Sequence, residues 1–327
     1  MSTSRIWRPP GTRRYPRRCA ISALATEDDV IVLDKLCHAS LIDGAKLSGA
    51  ILRVFPHNNL SKLESHLQWA GREHAGRRVL IVTESVFSMD GDRTPLREMV
   101  ELKRRFHALL MLDEAHAVGV IGPNGRGLAA AENLSDDVDV QMGTMSKALG
   151  ASGGYICGSG HLIEWLVNRA RSFIYSTAPP PAIAAAALAA VNFLSSSEGE
   201  ERRLLLWERI NLMRQLLLQL NVECWTPARD ISELDVGRSI SSSKRLTPNA
   251  QRPTPNAPTS AIYPLLVGDE QAALNLAAAL KTEGFLVPAI RYPTVAKGAA
   301  RLRITVTAAH QEDQIRALYP AIKGNLL

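Results

Sequence analysis

The chain has 327 residues, 46% hydrophobic and 21% charged, a length that favours two domains and a composition that excludes a disordered or fibrous protein. Its four cysteines (Cys19, Cys37, Cys157 and Cys224) are scattered, with no CxxC pair and no histidine at ligand spacing, which excludes a structural zinc site and a secreted disulfide scaffold and points to a reducing, cytoplasmic setting. The net charge of +6 is matched by six arginines within residues 1–18 (Arg5, Arg8, Arg13, Arg14, Arg17 and Arg18), a stretch without acid or lysine, so the basic balance belongs to a tail and not to a nucleic-acid-binding face.

Residues 1–19 show no apolar periodicity, and Pro9, Pro10 and Pro16 interrupt any amphipathic import helix. From Ile21 short apolar runs alternate with amphipathic stretches. Val30–Leu33, Val79–Thr83, Leu109–Leu112, Val138–Met142 and Tyr155–Cys157 read as buried strands, and Leu60–Glu73, Leu96–Phe106, His161–Arg171 and Pro181–Leu194 as helices. The uncharged run Ser172–Ser197 is long enough to cross a membrane, but Pro179, Pro180 and Pro181 and its alanine content make a buried, Pro-started helix the better reading. A helix over Glu201–Leu220 precedes a Ser/Pro/Asn-rich flexible insertion at 237–258, after which the strands Ile262–Val267 and Leu302–Val306 flank the helix Glu270–Glu283. Such alternation predicts an α/β architecture, a mainly parallel sheet flanked by helices with a smaller C-terminal α/β domain, and places ligands at the carboxyl ends of the strands.

Several chemistry-bearing residues fall at such ends. Asp113 closes the strand in LLMLDEAHAVG, where a buried carboxylate is costly unless it meets a cation or caps the next helix; His116 follows three residues on. The DEAH string of a helicase would need an upstream GxxxxGK[ST] phosphate loop, which the sequence lacks. Lys147 lies in GTMSKALGASGG, just past a strand, where burial would lower its pKa and make it a Schiff-base nucleophile. A carboxylate for a pyridine nitrogen and an amine for an imine are the two protein groups that pyridoxal phosphate requires. His38 in VLDKLCHASLIDGA either starts a helix or stacks on a cofactor ring, VTESVFSMDGD is another strand running into a Ser-rich turn, and Arg291 in AIRYPTVAKG either is a surface charge or clamps a carboxylate.

The segments DKLCHASLIDGA, TESVFSMDGDRTPL, LDEAHAVGVIGPNGRG, GTMSKALGASGG, IYSTAPPP and AIRYPTVAKGAARLRITVTAAH occur in the order found in the α-oxoamine synthases, and the chain resembles that family of fold-type-I pyridoxal-phosphate enzymes from about Ile21 onward. The resemblance implies pyridoxal 5'-phosphate as cofactor, no metal, a homodimer, and decarboxylative condensation of an amino acid with an acyl thioester of CoA or acyl-carrier protein. The AIR-PT segment and RLRITVTAAH point to the branch that joins L-alanine to a pimeloyl thioester in biotin synthesis; the glycine-using branch is the alternative, and Tyr292 stands where that first branch commonly has proline. By the same resemblance Lys147 forms the imine with the cofactor, Asp113 pairs with the pyridinium nitrogen, His116 bonds the phenolic oxygen and His38 stacks on the ring. Ser88 lines the pocket, Thr144 contacts the phosphate, Thr177 reaches the phosphate of a neighbouring subunit, and Arg291 with Thr294 binds the substrate carboxylate.

Upstream of Ile21 the family's segment with its Ser/Thr-Gly-x-x-Ala-Asn turn, whose backbone amides help hold the phosphate, is replaced by residues 1–19. A shifted reading frame or an internal start would produce such a junction, and a catalytically impaired fragment is the corresponding alternative to a working enzyme. The implied organisation is an atypical tail at 1–19, a large cofactor-binding domain at 20–198 incomplete at its N-terminus, and a small domain at 199–327.

Overall fold

The computed structural model describes residues 5–7, 16–220 and 260–326. The first part of the chain forms β1 (Arg5–Trp7), α1 (Pro16–Leu24), β2 (Val30–Asp34), α2 (Ala39–Leu47), β3 (Ile51–Phe55), α3 (Leu60–Glu73), β4 (Val79–Glu84) and α4 (Leu96–Arg105). There follow β5 (Leu109–Asp113), α5 (Leu128–Ala131), β6 (Val140–Thr144), β7 (Gly154–Gly158), α6 (Gly160–Arg169), α7 (Arg171–Ile174), α8 (Pro181–Leu194) and α9 (Ser197–Gln219). After the 237–258 insertion, which lies outside the described residues, come β8 (Ile262–Gly268), α10 (Glu270–Thr282), β9 (Ala289–Ile290), β10 (Ala300–Thr305) and α11 (Glu312–Leu326).

Seven strands form one sheet in the order β1-β7-β6-β5-β4-β2-β3. Neighbours from β3 to β6 run parallel, while β7 is antiparallel to both β6 and β1. Strand alternation explains why both faces are apolar. Val30 and Val32 of β2 enter a core with Leu63 and Leu67 of α3 and Met99 of α4, whereas Ile31 and Leu33 enter a second core with Ile21, Leu41 and Leu166 on the other side. The fold class expected from the sequence holds. Because β2 leads outward to β3 and the chain then returns to β4, the strand order reverses between β2 and β4, and their carboxyl ends open a crevice where ligands bind in such sheets.

The smaller sheet is three antiparallel strands in the order β8-β10-β9, covered by α9, α10 and α11 through Ile210, Leu276, Leu280 and Ile322. Neither β9 nor α11 is apparent from the sequence, and β3 is hidden because Arg53 interrupts its apolar run.

Several boundaries move. β6 begins at Val140 and not Val138, because Asp139 is occupied in accepting the Leu110 amide through its carboxylate at 2.7 Å before the ladder to β5 starts at Val140. The expected helix His161–Arg171 is two helices, broken at Ala170, whose ψ of 99° is extended. Helix α9 starts at Ser197 and not Glu201, with the Ser196 hydroxyl accepting the Gly199 amide as its cap. The tail also differs from its aperiodic reading: Arg5–Trp7 pairs with Ile156–Gly158 as an edge strand, and α1 begins at Pro16. Among the described residues no single helix is long and apolar enough to cross a membrane.

Candidate active site

Four strands carry polar residues to one edge of the large sheet: β2 ends in Asp34, β4 in Glu84, β5 in Asp113 and β6 in Thr144. Glu84 and Asp113 are register partners, and Asp34, Glu84 and Asp113 are all at most 2% exposed. A buried row of carboxylates is stable only where hydrogen bonds and cations meet it.

Asp113 is held by the backbone, its Oδ1 accepting the Ala115 amide at 3.0 Å. Three residues on, half-buried His116 brings Nε2 to 2.7 Å from Nζ of Lys147. That contact joins two separate turns, one after β5 and one after β6. The β6–β7 turn closes on itself, the Met145 amide donating to the Gly153 carbonyl at 2.9 Å and the Ala151 amide to the Met145 carbonyl at 2.7 Å, which sets Lys147 on its outer side. Lys147 is therefore exposed, and the burial expected to lower its pKa is not provided by the described residues. In the same turn the Thr144 and Ser146 hydroxyls lie 2.9 Å apart, and the Ser146 amide donates to Thr144 Oγ1 at 3.3 Å.

His38 follows β2 and caps α2: its Nδ1 accepts the Ser40 amide at 3.1 Å, and its own amide donates to the Glu84 carboxylate. The helix-start reading of this histidine is what the structure shows, and the residue is exposed. Ser88 lies in the loop after β4, where its carbonyl accepts Arg303 Nε at 2.6 Å. Glu114, which the sequence reading did not single out, is 2% exposed and accepts the Leu128 and Ala129 amides at 2.9 Å each; burial pushes its pKa up against those bonds. Gly127 faces this carboxylate with φ +104°, and a Cβ there would come within 2.7 Å of it, so Glu114 is a structural brace for the start of α5.

The structure thus brings Lys147, His116, Asp113, Thr144, Glu84 and His38 to one sheet edge. Thr177 is exposed beyond α7, and Arg291 and Thr294 are exposed in the connection that follows β9 on the smaller sheet. Two further groups, Asp34 and Glu84, escaped the sequence reading although they obey the rule that selected Asp113, a carboxylate closing an apolar strand. A cavity of about 800 Å³ lies elsewhere, between the sheet and α8, bounded by Met142, Met145, Tyr155, Ala187, Val191 and Leu194. It is bordered by neither Lys147 nor His116.

The donor set at the sheet edge fits pyridoxal phosphate. A buried carboxylate suits a pyridinium, a primary amine suits the aldehyde, an imidazole beside that amine suits the phenolate, and hydroxyls next to the lysine suit a phosphate.

Comparison with known proteins agrees. Residues 5–322 match the family "Aminotransferase class I and II". A protein of Cupriavidus necator named 8-amino-7-oxononanoate synthase is 41% identical over 305 residues, covering 93% of this chain and 68% of its own length. One of the same name from Geobacter sulfurreducens is 41% identical over 303 residues, covering 92% and 68%. Among solved structures, the 8-amino-7-oxononanoate synthase of Francisella tularensis superposes with a TM-score of 0.75 at 27% identity, covering 99% of this chain and 82% of that one. A serine palmitoyltransferase from S. paucimobilis, with a bound aldimine of pyridoxal phosphate and myriocin, superposes at 0.82 with 26% identity, covering 99% and 72%.

Proposed function

Since this chain belongs to the class I and II aminotransferase family, we propose that it is a pyridoxal-phosphate-dependent synthase that condenses L-alanine with pimeloyl-CoA, or the carrier-protein thioester, releasing CoA (or the carrier protein) and carbon dioxide and forming 8-amino-7-oxononanoate for biotin synthesis. The observation that carries this reading is the 2.7 Å contact between Lys147 Nζ and His116 Nε2 at the same sheet edge as buried Asp113, in a chain about 40% identical to synthases of that name.

Bound pyridoxal phosphate supplies an electron sink for negative charge at the Cα of the amino acid. The rest is the work of this chain. Asp113, tied by the Ala115 amide, would keep a proton on the pyridine nitrogen, since a carboxylate in a buried site holds positive charge strongly. Lys147 takes the proton from Cα of alanine, and His116 beside it orients the amine and shares its proton. Thr144 and Ser146, whose hydroxyls lie 2.9 Å apart, would hold the phosphate, and His38 and Ser88 would line the cofactor's pocket. Arg291, with Thr294, holds the substrate carboxylate with the fork geometry a guanidinium allows, and Thr177 serves the partner's phosphate in a homodimer. The working location is the cytoplasm, in keeping with scattered cysteines that suit a reducing compartment.

The test is a visible absorbance band formed with added pyridoxal phosphate, fixed by borohydride in the parent and missing in Lys147→Ala, followed by product formation from L-alanine and pimeloyl-CoA. A band without product would sink the synthase reading and leave a cofactor-binding chain. No band in the folded parent would remove the cofactor site as well.

A further inference from the structure

A second buried cluster adjoins the edge just described. His57, in the turn between β3 and α3, is 9% exposed at its side chain and lies between two fully buried carboxylates. Its Nδ1 is 3.1 Å from Asp34 Oδ1 and its Nε2 2.6 Å from Asp92 Oδ2. An imidazole that meets a carboxylate at both nitrogens donates twice, which only the cation can do. Burial by itself works to lower the His57 pKa, but hydrogen bonds to Asp34 and Asp92 and the charges of both outweigh it and raise it to about 10. Asp90 adds a third negative charge nearby, Phe87 lies edge-on to the ring at 4.3 Å, and the Asn58 side chain donates to Asp92 at 3.0 Å and to the Arg93 carbonyl at 3.1 Å.

Asp92 belongs to the loop Ser85–Thr94, which is closed by its own backbone bonds. The Phe87 amide donates to the Asp92 carbonyl at 3.0 Å, the Gly91 amide to the Phe87 carbonyl at 2.8 Å and the Thr94 amide to the Ser85 carbonyl at 3.3 Å. The outer side of this loop is where the smaller sheet attaches. Arg301 of β10 pairs with Asp90, both side chains being 6% exposed, Arg303 donates to the Ser88 carbonyl, and the Ser260 hydroxyl donates to the Gly91 carbonyl at 2.7 Å. Arg301 is in turn the register partner of Ile290 in β9, the residue immediately before Arg291.

Resting on the reading of Arg291 as the residue that binds the substrate carboxylate, we propose that His57 is a positioning residue for amino-acid binding: clamped between Asp34 and Asp92, it holds the Ser85–Thr94 loop, which fixes Arg301 and so β9, the strand that leads into Arg291. Its effect reaches the smaller sheet through the loop, while Asp34 ties the same ring to the end of β2. Removing the cation leaves Lys147, His116 and Asp113 untouched while loosening the attachment of the smaller sheet.

The experiment compares the full parent chain, supplied with pyridoxal phosphate, with His57→Gln and Asp92→Asn. In both variants the borohydride-trapped cofactor on Lys147 is retained, KM for L-alanine rises about tenfold, as expected for losing one charge-assisted hydrogen bond, and kcat changes much less. Amide hydrogen exchange at Phe87, Gly91 and Arg303 speeds up in step, while Leu110 and Leu112 in β5 stay protected. A folded variant with unchanged alanine KM and unchanged exchange in the loop overturns the proposal, as does a fall in kcat alone. If the parent makes no product, the synthase reading fails by itself and the exchange pattern decides the role of His57. Should neither variant fold, nitrogen NMR of the histidine rings in the parent decides: His57 protonated at both nitrogens above neutral pH supports the clamp, and a neutral ring overturns it.

Discussion

Gly91 and Ile262 meet backbone to backbone: a Cβ on Gly91 would lie 2.2 Å from the Ile262 carbonyl oxygen, and Gly91 has φ +74°. Close approach and positive φ both require glycine at the point where the smaller sheet rests on the large one.

Gly91→Ala therefore combines a clash with left-handed strain and is expected to cost more than about 2 kcal/mol, against about 1 kcal/mol for Gly76→Ala, a position of similar φ. Gly76 has φ +81° with nothing within 4 Å of a built Cβ, so it isolates the strain. Denaturant unfolding of the two variants measures the difference, and equal losses would mean that the loop yields to the added methyl.

The Asp90–Arg301 pair is buried and spans the two sheets, so removing one partner leaves an uncompensated charge. Arg301→Met alone is expected to destabilise the chain by about 3–5 kcal/mol, while Asp90→Leu combined with Arg301→Met recovers most of that loss. A double-mutant cycle by chemical denaturation gives the coupling. Additive losses would show that the pair is not coupled.

His38 separates capping from cofactor contact. His38→Ala loses the bond to the Ser40 amide and is expected to cost about 0.5–2 kcal/mol, whereas His38→Asn keeps a capping acceptor and most of the stability. Both substitutions remove the ring, so both should weaken pyridoxal phosphate binding, read by titration of the visible band. Retained affinity in His38→Asn would restrict His38 to its cap.

For pH, the sign follows from the raised pKa of His57. Its folded value of about 10 exceeds the ordinary 6.5, so the folded chain holds this proton more tightly than the unfolded one. The resulting stability is complete below about pH 6.5 and is lost progressively as pH rises towards about 10. Thermal melts across that window should fall more steeply for the parent than for His57→Gln. Parallel curves would place the titration elsewhere.

Much of the large sheet was legible because parallel strands buried on both faces are short continuous apolar runs: Val30–Leu33, Val79–Thr83 and Leu109–Leu112 each lie within a strand, and Leu60–Glu73 and Pro181–Leu194 match their helices end to end, although the second, expected to be buried, buries only Ala187. Where that signal fails there is a local cause. Arg53 breaks the β3 run because the strand sits at the sheet edge, and β9, with two residues, is too short for any period to register. Lys147, His116 and Asp113 stood out in the sequence because each closely follows or ends a strand, and the fold turns that shared sequence position into a shared place in space.

The sequence by itself determined the α/β class and set Lys147, His116 and Asp113 at or just past the ends of strands, since strand periodicity and strand-end residues are local properties. Tertiary structure alone decided which charges meet. Asp34 and Asp92 converge on His57 from 23 and 35 residues away, and Asp90 meets Arg301 across 211. It also set Lys147 on the open side of its turn. Periodicity states that a side chain is buried or exposed; the partner of a buried charge is supplied by whichever distant element the topology packs against it, and no local pattern encodes that.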